Sequence, residues 1–174
     1  MASGALIAQL YPRDGVQPSA NFATLDTRTG ASNHIIDVLD FDAGTDESVD
    51  FAFTVPSTAA GVSAAPDVTV RIGYMMSSAT SGTVRLAAAF KSITDDADDL
   101  DTKAYATAQT AGDTVPNAAG EVGYVDIAFT NAQADGIAAG EDAFLRITRD
   151  ADGTSGTDDA SGDLELVSVR VVET

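Results

Sequence analysis

The stretch Ser48 to Val55, SVDFAFTV, alternates strictly, with Val49, Phe51, Phe53 and Val55 on one side and Ser48, Asp50, Ala52 and Thr54 on the other. Successive side chains of an extended chain point to opposite faces, so this is a half-buried strand, stopped by Pro56. The same period returns repeatedly. Val68 to Met76 aligns Val68, Val70, Ile72 and Tyr74, and Thr83 to Ile93 aligns Val84, Leu86, Ala88 and Phe90. Glu121 to Thr130 aligns Val125, Ile127 and Phe129. His34 to Phe41, Ala143 to Arg149 and the closing Leu164 to Val172 are β-branched and apolar, and a weaker strand signal lies near Lys103 to Gln109.

Turn formers separate these runs: Asp42 to Asp46, Ser57 to Asp67, Ser77 to Gly82, Ala111 to Gly120, Ala132 to Gly140 and Asp150 to Asp163. No segment sustains a helical period. About seven or eight short strands with turns between them indicate a sandwich or barrel rather than a βαβ fold. The expected fold is all-β, a jelly-roll-like antiparallel β-sandwich of about eight strands. An immunoglobulin-like sandwich has the same period, although its Cys and Trp marks are absent.

The first 33 residues read differently. Ala5 to Tyr11 is a short apolar run stopped by Pro12, and Phe22 and Leu25 stand alone among polar residues. We expect residues 1–33 to form an extended arm, with Leu6, Ile7, Leu10, Tyr11, Phe22 and Leu25 as anchors on a partner, and residues 34–174 to form the sandwich. An N-terminal strand that completes the domain's own sheet is an equal alternative.

Composition narrows the function classes. Nine Lys and Arg stand against 27 Asp and Glu, for a net charge of -18. Carboxylates in such excess repel one another unless salt screens them, so we expect a protein adapted to molar salt, with a marine or simply acidic protein as the milder alternative. Nucleic acid is a poor partner, because phosphate binding requires clusters of Lys and Arg. No apolar run approaches membrane-span length, and the N-terminus lacks the features of a signal peptide, so a soluble, non-secreted protein is expected. The 31 Ala residues add little buried area, and with no Cys or Trp the core falls to Val, Ile, Leu, Phe and Tyr.

Two segments carry a family resemblance: F-x-F-x-V-P at residues 51–56 and A-G-E-x-x-F-L-R-x-x-R-D-A at residues 139–151. With the strands between them, from Ile35 to Val172, the chain resembles small jelly-roll virion proteins of tailed phages and archaeal tailed viruses. That resemblance implies a non-enzymatic structural protein of the virion, most readily a capsid decoration protein. It implies assembly as a homotrimer with partners such as the major capsid protein, and no cofactor. A tail, turret or fibre-base subunit, or a glycan-binding jelly-roll module contacting a host surface, is the alternative.

The residues supply little for catalysis. His34 is the sole histidine, so no Ser-His-Asp or Cys-His system is available, and we read it as structural. Carboxylates this numerous always provide pairs at glycosidase spacing. Asp95, Asp96, Asp98, Asp99 and Asp101 form one acidic loop, and Asp150, Asp152, Asp158 and Asp159 another. Both offer hard oxygen ligands of the kind calcium takes, but neither has EF-hand spacing, and no metal is assigned. Arg146 and Arg149 are expected to pair with carboxylates within the domain or across an interface. Glycan binding would require exposed aromatics or an ordered calcium in the loops; Tyr11, Tyr74, Tyr105 and Tyr124 are the available tyrosines, and two of these lie in core-like strands.

Overall fold

The structure is a computed structural model describing residues 4–174. Among the described residues eleven strands run in chain order: β1 (Leu6–Leu10), β2 (Gly15–Val16), β3 (Thr24–Thr29), β4 (Ile35–Phe41), β5 (Glu47–Thr54), β6 (Val68–Met76), β7 (Thr83–Ile93), β8 (Gln109–Thr114), β9 (Gly123–Phe129), β10 (Asp142–Arg149) and β11 (Leu164–Glu173). They form two antiparallel sheets. The six-stranded sheet has the order β3-β4-β11-β6-β9 with β1 also on β11, and the five-stranded sheet has the order β2-β5-β10-β7-β8. This is the all-β jelly-roll sandwich anticipated from the alternation, with three more strands than the expected eight. Among the described residues no helix is long and apolar enough to cross a membrane.

The period-2 residues fill the space between the sheets. Val49, Phe51, Val68, Val70, Ile72, Tyr74, Val84, Leu86 and Phe90 are wholly buried, and Phe90 meets Phe129 edge to face at 4.9 Å between ring centroids. Strand β11 shows how a parity change is accommodated. Leu164 and Leu166 face the core, then Val169 and Val171 do, which strict alternation forbids. A register shift between Leu166 and Ser168 supplies the extra residue, so both halves of the strand point inward.

The N-terminal segment departs from the arm expectation. Strand β1 pairs with Leu10 opposite Val169 and Leu6 opposite Val172, and Ile7, Ala8 and Leu10 are buried in the common core. Strand β4 covers only Leu164 to Leu166 of the same β11 edge, so β1 closes the stretch that β4 leaves open. An unpaired apolar edge is an aggregation template, and pairing removes it. A register shift between Leu6 and Ala8 breaks the period, which is why the run carries no clean alternation in sequence. Strand β2 pairs with β5, and β3 pairs with β4 as a largely exposed polar edge. Residues 4–33 are therefore part of the sandwich, not a separate arm; residues 1–3 of the expected arm lie outside the described residues. The weak strand signal near Lys103 to Gln109 is likewise displaced, since the strand there is Gln109–Thr114.

Candidate functional site

The outward side of the five-stranded sheet is built from the residues that alternate with the core. On β10, Ala143, Leu145, Ile147 and Arg149 point in, leaving Asp142, Phe144, Arg146 and Thr148 outward. Register places Phe144 between Ala52 of β5 and Lys91 of β7, and Arg146 between Asp50 and Ala89. Phe144 thus shares the outward parity of β10 with Asp142, Arg146 and Thr148. The loop after β7 folds back over this face, tied by the Ala106 amide donating to the Phe90 carbonyl at 2.8 Å, and brings Tyr105 onto the sheet.

The resulting cluster is compact. Arg146 donates to both carboxylate oxygens of Asp50, from Nε and Nη2, each at 2.7 Å. Its guanidinium carbon lies 4.5 Å from the Tyr105 ring centroid. The Lys91 ammonium lies 5.2 Å from the same centroid and 4.9 Å from that of Phe144. Burial, followed by the negative charge of Asp50, pushes the Tyr105 phenol well above its ordinary range, so it stays a neutral donor. Asp50 holds the Arg146 guanidinium further up still, chiefly through the side-chain hydrogen bonds. Beside the cluster lies a hollow of about 340 Å³, lined by Ala52, Thr54, Ile93, Leu100 and Phe144, with Asp142 at its rim accepting from the Thr54 hydroxyl at 2.6 Å. An aromatic floor flanked by fixed donors and acceptors suits a ligand with an apolar face and a polar rim.

The other sequence candidates fall elsewhere. Of the six proposed anchors, Ile7 and Leu10 belong to the core, while Leu6, Tyr11, Phe22 and Leu25 are exposed on their own strands and turns. His34 lies exposed just before β4. Tyr74 is buried and donates to Asp113 at 2.8 Å, and Tyr124 is exposed on the opposite sheet, with Arg71 5.9 Å from its ring centroid.

The acidic loops serve the fold. In the first, Asp98 accepts from the Thr94 amide and from the Lys103 ammonium, both at 2.8 Å, and Asp101 donates its amide to Asp99. In the second, Asp158 receives Arg149, and Asp159 accepts from the Thr83 amide at 2.7 Å. Asp46, Asp150 and Asp152 each place a carboxylate oxygen within 4.8 Å of the others. Asp150 already accepts from the Thr154 amide at 3.1 Å, the Ser155 amide at 2.7 Å and both of their hydroxyls. Burial works to raise its carboxyl, but these donors outweigh it and hold the group below the usual carboxylate range.

Two antiparallel sheets with this connectivity define a jelly-roll β-sandwich of the kind found in carbohydrate-binding modules. No protein-family model matches the sequence, and no curated protein matches it. Solved structures do match. The chain is similar to the CBM22-1 xylan-binding domain from Paenibacillus barcinonensis Xyn10C, at 11% identity and a TM-score of 0.50, over 99% of this chain and 97% of that one. It is similar to TmCBM27, a carbohydrate-binding module with specific mannan recognition, at 10% identity and a TM-score of 0.51 over 99% of each chain. It is also similar to the CBM22-1-GH10 modules of Clostridium thermocellum Xyn10B, at 11% identity and a TM-score of 0.53, spanning 29% of that longer chain. At such identities the likeness establishes the fold.

Proposed function

We propose that this domain is a non-catalytic carbohydrate-binding module that takes a saccharide on the outer face of its five-stranded sheet. The observation that carries this reading is the cluster of Tyr105, Phe144, Lys91, Arg146 and Asp50 beside the 340 Å³ hollow. A sugar ring presents C–H groups on its faces and hydroxyls around its rim. Half-buried aromatic rings accept the first, and a fixed Arg–carboxylate pair offers both a donor and an acceptor to the second. Similar folds that bind xylan or mannan support the reading without choosing the sugar.

The test is calorimetry against a panel of plant, algal and bacterial polysaccharide fragments. Tyr105→Ala and Phe144→Ala are each expected to weaken binding about 10-fold or more, which corresponds to ~1.4 kcal/mol of lost contact. Binding that survives both substitutions moves the site elsewhere, and a folded protein that binds nothing in the panel overturns the proposal.

A second reading, assembly with copies of itself as in a virion subunit, draws on the opposite sheet. Exposed Tyr11 and Ile35 flank a depression of about 300 Å³ that also includes Pro12, Ile36 and Val167. A stable oligomer by light scattering that is lost in Tyr11→Ser/Ile35→Ser supports it, and a monomer at high concentration refutes it.

A further inference from the structure

Resting on the carbohydrate-binding reading, we infer that the ligand of this face is an acidic saccharide and that Lys91 receives its anionic group. The chain has nine basic residues. Among the described residues, Arg13, Arg28, Arg71, Lys103, Arg146 and Arg149 each have a carboxylate within 4.0 Å. The remaining three are Arg85, Lys91 and Arg170. Arg85 donates to the Thr110 hydroxyl at 2.6 Å, and Arg170 donates to the Gln9 side-chain oxygen at 2.7 Å. Among the described residues, only Lys91 has neither an ion pair nor a side-chain hydrogen bond.

In a chain with three carboxylates for every cation, 27 against 9, that arrangement requires a reason. Lys91 does not simply project into solvent. It is half-buried, framed by the faces of Tyr105 and Phe144, and its cross-strand partner is Phe144 itself. Ring faces orient an ammonium without neutralising it, and all three of its N–H donors remain available. Of the neighbouring charges on the sheet, Asp50 is taken by Arg146, and Asp142, two residues before Phe144, accepts from the Thr54 hydroxyl and lies beyond 4.0 Å of the Lys91 ammonium. A neutral sugar at this position would meet an unbalanced, partly desolvated charge. A uronate carboxylate or a sulfate ester would complete it with a charge-assisted hydrogen bond.

The overall charge of -18 opposes the approach of any polyanion at a distance. Salt screens that repulsion beyond about 8 Å at physiological ionic strength, whereas a contact inside a half-buried site is screened much less. At that range the direct contact with the Lys91 ammonium decides, which makes Lys91 a specificity-determining residue.

The experiment uses the full chain and three probes: a galacturonate oligosaccharide, its neutral methyl ester, and a sulfated galactan oligosaccharide. The expected result is that one or both acidic probes bind about 10- to 100-fold tighter than the ester, the range given by one hydrogen bond to a charged group. Lys91→Met keeps the apolar stem and is expected to abolish that preference, while Lys91→Arg retains it. Arg170→Met, on the other sheet, leaves it unchanged. Binding of one acidic probe alone identifies the anionic group and supports the inference. Equal or tighter binding of the ester overturns it while leaving the carbohydrate-binding reading intact. Acid preference that persists in folded Lys91→Met removes Lys91 from the role and overturns it too. Failure of all three probes, together with the wider panel, overturns both readings.

Discussion

Arg149 occupies a core position of β10, in line with Ala143, Leu145 and Ile147, and is wholly buried. All five of its donors are spent. Nε and Nη2 reach Asp158 at 3.1 and 2.9 Å, Nη2 also reaches the Ala160 carbonyl at 3.0 Å, and Nη1 reaches those of Gly162 at 2.9 Å and Phe41 at 3.3 Å. The Asp158 carboxylate is itself 1% exposed and accepts the Arg85 amide at 3.0 Å. One guanidinium therefore fastens the 150–163 loop to both sheets. Replacing it in Arg149→Met fills much of the volume but leaves Asp158 buried, charged and unpaired, and strands three carbonyls. Breaking a buried pair from one side costs about 3–5 kcal/mol. For a domain of this size that corresponds to a fall in Tm of roughly 6–20 °C, at about 2–4 °C per kcal/mol. Thermal unfolding and urea titration of the single variant and of Arg149→Met/Asp158→Asn separate the terms. Because the double variant removes the stranded charge, it is expected to regain part of the loss. A fall below about 2 °C for the single variant, or a double variant less stable than the single, would refute the latch.

Three further outcomes follow from other parts of the molecule. Asp40 is pushed up to about 6 by burial first and then by Glu165, Asp26 and Asp163, with Arg28 opposing. The native state therefore holds a proton that the unfolded chain has released, and the stability tied to this group is lost as pH rises through about 6. The displacement from 3.8 corresponds to about 3 kcal/mol at most, and solvent screening of this partly exposed group reduces it to about 1–2 kcal/mol. Asp40→Asn is expected to stabilise by that amount at pH 8 and by nothing at pH 4, and an equal effect at both pH values in urea unfolding contradicts it. Deleting residues 1–10 strips β1 from Val169 to Val172, so the truncated chain is expected to unfold or aggregate; cooperative unfolding at the full-length Tm would show that β1 is dispensable. Leu10→Ala, at a buried site of the same strand, is expected to cost about 2–5 kcal/mol by the same assay, and a cost under 1 kcal/mol contradicts its core placement.

The sandwich was legible because its central strands carry unbroken period-2 patterns, as β5, β6 and β7 show. Three places in the reading slipped, each for its own physical reason. Strand β1 contains a register shift that puts Ile7 and Ala8 both inside, β3 is an exposed edge strand whose sole large apolar residue is Leu25, and β8 has no large apolar residue to alternate, so none shows a period. The candidate site was half visible. Phe144 sits at the polar parity of AFLRITR, and Lys91 is one of two lysines, on the side of β7 opposite Phe90. Their meeting with Tyr105 was not legible, because it depends on how the loop from Thr94 to Ala108 folds back. Nothing in local sequence encodes that path beyond the Asp98 and Asp135 contacts to Lys103 that pin it.

The same loop explains how Lys91 stays without an ion pair in an acidic chain. Lys103 draws in Asp98 at 2.8 Å and Asp135 at 3.3 Å, and its neighbour in sequence by two, Tyr105, is thereby laid against Lys91 and Arg146. The two lysines therefore divide the work: one is neutralised to set the loop, and the other remains without a partner under the ring the loop delivers. Exposed pairs such as Arg71 with Asp126 and Arg13 with Asp37 contribute little each and weaken with salt. The enclosed Arg149–Asp158 pair does not share that sensitivity. Salt therefore relieves repulsion among the exposed carboxylates without loosening the Arg149–Asp158 latch.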